Sequence, residues 1–489
     1  MHFLTLPNEI LAWAFRYLSN HELATISLLC RTWRVLAFPH LYKFISLSRK
    51  SHLESLAARI TSDTGSGALS IIAHIRGISI STYDSDRGRA EDRVHNITES
   101  CLAHLKTIVP RLTQLKSLHW DLDFLPNDSK YLKLFQTHCP IERLEHVLSF
   151  PQISPSEIDQ YITIFDFTNL SHVNFNLPGI SFTSSDSVDC LPHLARLLTS
   201  CPNLVSLQLE NATYDHISAT NIVASLGNEI VFPRLRAFRI TEADNNYGPD
   251  ADAADWDGFF VPPGRYSHPL RLFFSRHKGI EDLALGWLAD SVYEGDIDPE
   301  EMAQLFPSLK HLSGHAFLCN AITKSSIAQN LETLVVGYSA LAGKKDWLAV
   351  MVAGLREMPK LRRLELGSGE YEGTIDPLEL DGLLRMAPAL EVLDCSFLVN
   401  NFTAMLLAIS HAPRLRHIIV DGESWVASGL YRQRVDDSSY EDWETVIYKV
   451  ALYCHRLERF QSWQGYACKT DWKIERDQNG KLMNVIAMG

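Results

Sequence analysis

The stretch Cys201-Pro202-Asn203-Leu204-Val205-Ser206-Leu207-Gln208-Leu209-Glu210 carries the phrase L-x-x-L-x-L directly after a run with helical spacing, Leu191–Leu198. Successive side chains of a strand point to opposite faces, so Leu207 and Leu209 turn inward while Ser206, Gln208 and Glu210 turn out. The phrase recurs upstream as Ile75-x-x-Ile78-x-Ile80, Leu115-x-x-Leu118-x-Trp120 and Leu170-x-x-Val173-x-Phe175. Downstream it reads Leu235-x-x-Phe238-x-Ile240, Ile280-x-x-Leu283-x-Leu285, Leu309-x-x-Leu312 and Leu331-x-x-Leu334-x-Val336. Leu361-x-x-Leu364-x-Leu366, Leu390-x-x-Leu393-x-Cys395 and Leu415-x-x-Ile418-x-Val420 follow. With a weaker Ile141-x-x-Leu144 and a degenerate Leu457-x-x-Phe460, there are thirteen copies. Most are spaced 22 to 34 residues apart, often with proline two residues ahead, as at Pro233, Pro307 and Pro388. One strand-plus-helix unit cannot bury its own apolar edge, so such units stack into a continuous core. The expectation is an α/β solenoid, a horseshoe with parallel strands on the concave face and helices outside.

Composition agrees with a globular protein. The 489 residues are 46% hydrophobic and 21% charged. No run approaches the roughly 18 apolar residues of a membrane span. The net charge of −13 disfavours nucleic acid, whose binding depends on neutralising phosphates. Residues 1–50 stand apart: six Lys/Arg against two acids give +4, which leaves −17 for the rest. Nine cysteines without CxxC spacing argue against a disulfide framework or a zinc site. Cys139, Cys201 and Cys454 directly precede the repeated feature and read as small buried thiols. Glu9 and Arg16 interrupt the apolar N-terminal run, and no basic segment precedes it, so an intracellular location, cytoplasmic or nuclear, is expected.

That N-terminal run holds 24 apolar residues among the 40 of residues 3–42. A module this short rarely buries such an excess unaided. Pro7 suits the first turn of a helix, and Ile10, Leu11, Ala14, Phe15 and Leu18 recur at helical spacing. Ser19 with Glu22 reads as a capping box opening a second helix with Leu23, Ile26 and Leu28. A third helix carries Cys30, Trp33, Leu36 and Ala37, and Pro39 is expected to stop it.

These residues carry a resemblance. Leu6-Pro7-x-Glu9-Ile10-Leu11, then Phe15, Leu18, Leu23, Cys30-Arg31-x-Trp33 and Pro39-x-Leu41-Tyr42 resemble the F-box motif, a three-helix element. Leu28-Leu29, where the family often has Val before the Cys, is a small departure. The phrases behind it resemble the irregular leucine-rich repeats that follow F-boxes in many eukaryotic proteins. The resemblance implies that Leu6, Pro7, Ile10, Leu11, Phe15, Leu18, Leu23, Leu28, Cys30 and Trp33 bind the small acidic adaptor subunit of SCF-type cullin–RING ubiquitin ligases. The same residues could instead pack onto the rest of the chain, or divide between the two roles. The domains expected are the F-box at 1–47, a linker at 48–68 with a helix over Leu53–Ile60, repeats at 69–465 and a tail at 466–489.

A protein substrate would then sit on the repeats. Glu145, His172, Asn174, Gln208 and Glu210 occupy outward positions of successive strands and form a polar row. The long gap between Leu235 and Ile280 holds six acids with Trp256, Phe259 and Phe260, and that between Leu415 and Leu457 holds Trp425. Acidic charge with aromatic anchors suits capture of a basic peptide, and a solvated loop fits the same composition equally. No catalytic constellation, metal site or cofactor site is found. Gly337-x5-Gly343-Lys344 misses P-loop spacing by one residue. The Asp250–Gly258 run puts Ala253 at the first ligand position of a calcium loop and Gly264 where a bidentate Glu belongs. The reading is a non-enzymatic substrate receptor of an SCF-type ligase; the alternative is an interaction scaffold outside any ligase.

Overall fold

The structure, a computed structural model, describes residues 6–65, 67–82, 97–124, 126, 128–148, 162–176, 190–210, 218–241, 256–261, 264–285, 296–337, 347–366, 375, 377–395, 402–421, 443–464 and 468–488. Three helices come first: α1 (Asn8–Phe15), α2 (Asn20–Ser27) and α3 (Arg31–Leu41). The Ser19–Glu22 capping box forms in both directions. Pro39 does not stop α3, contrary to the sequence expectation; it lies in the last turn, where its missing N–H costs one bond and the helix ends two residues later.

The chain divides into two compact units, Met1–Ile217 with Ala224–Leu235, and Ser218–Val223 with Arg236–Gly489. In the first unit, parallel strands follow one another as β1 (Phe44–Leu47), β2 (Gly77–Ser81), β3 (Ser117–Leu122), β4 (Arg143–Leu148), β5 (His172–Asn176) and β6 (Ser206–Glu210). The second unit carries β7 (Ala237–Ile240), β8 (Asp282–Leu285), β9 (His311–His315), β10 (Thr333–Gly337), β11 (Arg363–Leu366), β12 (Val392–Cys395), β13 (His417–Asp421) and β14 (Arg459–Gln464), again parallel in order. Strands β2 to β14 are the thirteen phrases of the sequence. Helices precede many of them, including Leu191–Thr199, Pro377–Arg385 and Phe402–Ser410.

The register explains why the phrase recurs. Within each unit the fourth positions align: Ile78, Leu118, Leu144, Val173 and Leu207 in one, and Phe238 through Leu283 to Phe460 in the other. All of these side chains are buried, and each is worth about 1.5–3 kcal/mol against exposure. The carbonyl at the second position of a phrase accepts from two consecutive N–H groups of the next strand. Glu281 accepts from Lys310 and His311 in this way, at 2.8 and 2.9 Å. The same clamp brings second-position side chains of adjacent strands alongside. In the second unit they alternate in sign: Arg236, Glu281, Lys310, Glu332, Arg362, Glu391, Arg416 and Glu458. Lys310 Nζ lies 2.6 Å from Glu281, and Arg416 lies 3.2 Å from Glu458.

Two elements lie outside the expected repeat boundaries. β1 pairs with β2 well ahead of residue 69, so the sheet begins directly behind the three helices. Helix α4 (Lys50–Ser62) then buries Leu53, Leu56, Ala57 and Ile60 against the first unit. Beyond β14, in place of a tail, β15 (Cys468–Arg476) and β16 (Leu482–Met488) pair antiparallel and bury Trp472, Ile474 and Val485. Their turn is closed by Asp477, whose carboxylate accepts from the N–H groups of Asn479 and Lys481, with Gly480 at φ 79°. Asn-Gly between alternating apolar residues is the sequence signal for such a hairpin.

Candidate functional site

Within the N-terminal module the apolar residues separate into two sets. Leu11, Phe15, Leu23 and Ala37 are buried, and Leu6, Leu18, Ile26, Trp33, Leu36 and Leu41 pack against them. The Phe15 and Trp33 rings meet edge to face at 5.9 Å. Of the ten candidate adaptor residues, Leu6, Leu11, Phe15, Leu18, Leu23 and Trp33 thus contribute to the module's own core. Pro7, Ile10, Leu28 and Cys30 are exposed. The Cys30 sulfur also caps α3, accepting from the Trp33 N–H at 3.4 Å.

Helix α1 therefore has apolar residues on two sides. Leu11 and Phe15, four apart, face inward. Ile10, Trp13 and Tyr17, at i, i+3 and i+7, share the other side and are 49%, 57% and 71% exposed. Leu28 and Leu29, just past α2, are 75% and 65% exposed. Trp13, Tyr17 and Leu29 are not among the ten candidate adaptor residues of the sequence. The signal for the two rings was their spacing with Ile10, masked by the stronger i, i+4 stripe of Leu11 and Phe15. These large apolar side chains stand in water on a module that already has its own core.

The polar row of the first unit stands as a continuous strip. Glu145, Asn174 and Gln208 are register partners across β4, β5 and β6, as are His172 with Ser206 and Asn176 with Glu210. His119 Nδ1 on β3 lies 3.1 Å from the Glu145 carboxylate. That hydrogen bond raises the His119 pKa and lowers that of Glu145. Burial lowers that of His172. Gln208 Nε2 donates to Glu210, and the buried Asn174 Oδ1 accepts no hydrogen bond.

The aromatic candidates of the first long gap are placed differently. Trp256 and Phe259, on helix Trp256–Phe260, are buried. Trp256 packs edge-on to Phe317 at 5.2 Å, and Arg271 lies over Phe259 at 5.5 Å. Both side chains serve packing inside the second unit, because the helix folds back onto the repeats. Trp425 lies outside the described residues, as do most of the acids of the first gap. The three repeat cysteines are buried, and burial pushes the thiols of Cys139 and Cys454 up to about 12, which keeps them unreactive. Among the described residues, no group of three His, Cys, Asp or Glu could hold a metal ion, and no helix is long and apolar enough to cross a membrane.

A family model described as F-box-like matches residues 3–48. Comparison with curated proteins finds no match. Matches among solved structures include the Rad7 and Elc1 complex of yeast, at 14% identity and a TM-score of 0.45, covering 80% of this chain and 88% of that one. Another is the leucine-rich repeat-containing protein LegL7 from Legionella pneumophila, at 14% identity and a TM-score of 0.33, covering 73% and 90%. Residues 3–48 form an F-box-like domain, and the chain behind it is a leucine-rich-repeat-type series of parallel strands and helices.

Proposed function

We propose that this chain is the substrate-recognition subunit of an SCF-type cullin–RING ubiquitin ligase. Its F-box-like domain would dock onto the adaptor subunit while the repeats hold a protein substrate. The observation that carries this reading is the second apolar face of the F-box-like domain, with Ile10, Trp13, Tyr17, Leu28 and Leu29 exposed on a module that already has its own core. On this reading the chain makes and breaks no bond. It raises the effective concentration of a substrate lysine beside a ubiquitin-loaded enzyme, and such proximity can supply several kcal/mol of a barrier. The strip of Glu145, His172, Asn174, Gln208 and Glu210 is the substrate face proposed with it.

Co-purification with adaptor and cullin tests the reading. The double variant Ile10→Ala/Leu28→Ala changes exposed residues only, so the fold should survive. Losing two buried contacts of about 1.5 kcal/mol or more each should weaken adaptor binding by roughly a hundredfold. Unchanged affinity would sink the docking face. Adaptor binding without cullin recruitment would favour a scaffold outside the ligase.

A further inference from the structure

Among the described residues, strand β1 has one hydrogen-bonded neighbour, β2, and none on its other side. The ladder reaches it through the Lys43 carbonyl, which accepts from the Gly77 N–H at 3.0 Å. Residues of a parallel ladder bond alternately to one side and the other. Ile45 and Leu47 therefore follow Lys43 toward β2, and the N–H and C=O groups of Phe44 and Ser46 face the open side. Both residues are exposed. The Phe44 ring lies over Gly77 of β2, where a Cβ would collide with it, and so stands off that outer edge.

A groove of about 380 Å³ opens between β1 and α4. Its lining includes Tyr42, Phe44 and Ser46 at the strand and His52, Ser55 and Arg59, which share one face of α4. Among the described residues, no acidic side chain lines it. The Arg59 guanidinium lies 5.1 Å over the Tyr42 ring and 5.8 Å over Phe38, and Nη1 donates to the Tyr42 hydroxyl at 3.2 Å. Stacking of this kind holds the cation in place and leaves N–H groups for a carboxylate. Lys43 stands at the head of the strand, over the Phe44 ring at 5.4 Å.

We infer that the outer edge of β1 and its groove take up an extended, acidic segment of a partner protein by strand addition. The unpaired main-chain groups select an extended backbone, and Arg59 with Lys43 selects acidic side chains on it. The inference stands apart from adaptor docking, and its test uses the full chain alone.

The probe is a fluorescent peptide of alternating valine and glutamate, about eight residues long to span the strand, with a valine–lysine peptide as control. Anisotropy should show the acidic peptide binding, more weakly as salt rises, and the basic one not binding. Ser46→Pro removes the outward N–H and keeps the ladder to β2, since proline is tolerated on the open side of an edge strand. It should weaken binding by about tenfold, the equivalent of one main-chain hydrogen bond. Arg59→Glu should reverse the charge preference, and it decides the matter alone if Ser46→Pro fails to fold by circular dichroism. No binding to the unaltered chain, equal binding of both peptides, or a charge preference unchanged in Arg59→Glu overturns the inference. Self-association that Ser46→Pro abolishes overturns it too, because the occupant is then a second copy of this chain.

Discussion

At the start of the repeats, the first strand keeps an open edge beside a basic groove, whereas at the other end β14 is covered by the antiparallel hairpin β15–β16. Both ends face the same hazard, since a terminal repeat has no neighbour to cover its apolar side and its unpaired strand edge invites aggregation. The C-terminal end meets it with Trp472, Ile474 and Val485, and with Asp471, which takes Arg459 in a two-pronged ion pair. The N-terminal end meets it with α4 and leaves Phe44 and Ser46 in water. One device is shared. Arg111 caps the carboxyl end of α4, donating to the carbonyls of Ile60 and, at 2.6 Å, Asp63. Arg476 does the same for helix Trp443–Tyr453, reaching the carbonyls of Ala451 and Cys454 at 2.6 and 2.9 Å. The difference teaches that the two ends are closed by different means: an antiparallel hairpin lies over β14, whereas a helix packs beside β1, directly behind the F-box-like domain.

Truncation after Gln464 should have the largest effect. It removes three buried side chains, a loss on the order of 5 kcal/mol, and bares the β14 edge. Thermal unfolding with light scattering should show a lower transition and aggregation; a soluble, equally stable product would mean that the hairpin does not close the end.

Acid should separate the two regions next. His146 replaces a leucine at an inward position of β4, with its Nδ1–H donating to the Trp120 carbonyl at 2.9 Å. Burial pulls its pKa from 6.5 down to about 4. The unfolded chain therefore binds the proton first as pH falls, so stability is present above pH 6.5 and is lost between there and about 4. The loss amounts to about 3 kcal/mol. Denaturant titrations at pH 7 and pH 4 should show His146→Leu flattening this dependence in the N-terminal unit.

Arg111→Ala and Arg476→Ala should follow, at about 1–3 kcal/mol each for carbonyls left without a partner. Hydrogen exchange should speed up in α4 for the first variant and in helix Trp443–Tyr453 for the second. Crossed or uniform effects would show that the caps are not local. Smallest is Glu281→Lys, which sets three like charges side by side with Arg236 and Lys310. The pairs are exposed, so the expected change is slight, seen as a lower melting temperature at low salt and erased at high salt.

The sequence by itself determined the repeats and the three N-terminal helices. Position-two-apart leucines and i, i+4 stripes are local patterns, and the structure places a strand at all thirteen phrases. Local pattern also showed the polar strip, because alternation along a strand dictates which side chains turn outward. What it could not assign was the partner of each apolar residue. Leu11 and Ile10 are adjacent and equally apolar, yet one is buried and the other half exposed, since that depends on where α3 crosses α1. For the same reason Trp256 and Phe259 read as loop anchors and prove to be core. Only tertiary structure revealed β1, whose pairing partner lies beyond α4, and the alternating charges of the second unit, which are neighbours through register and lie far apart in the chain. Strand pairing and burial are set by contacts between distant segments, and no periodicity within one segment records them.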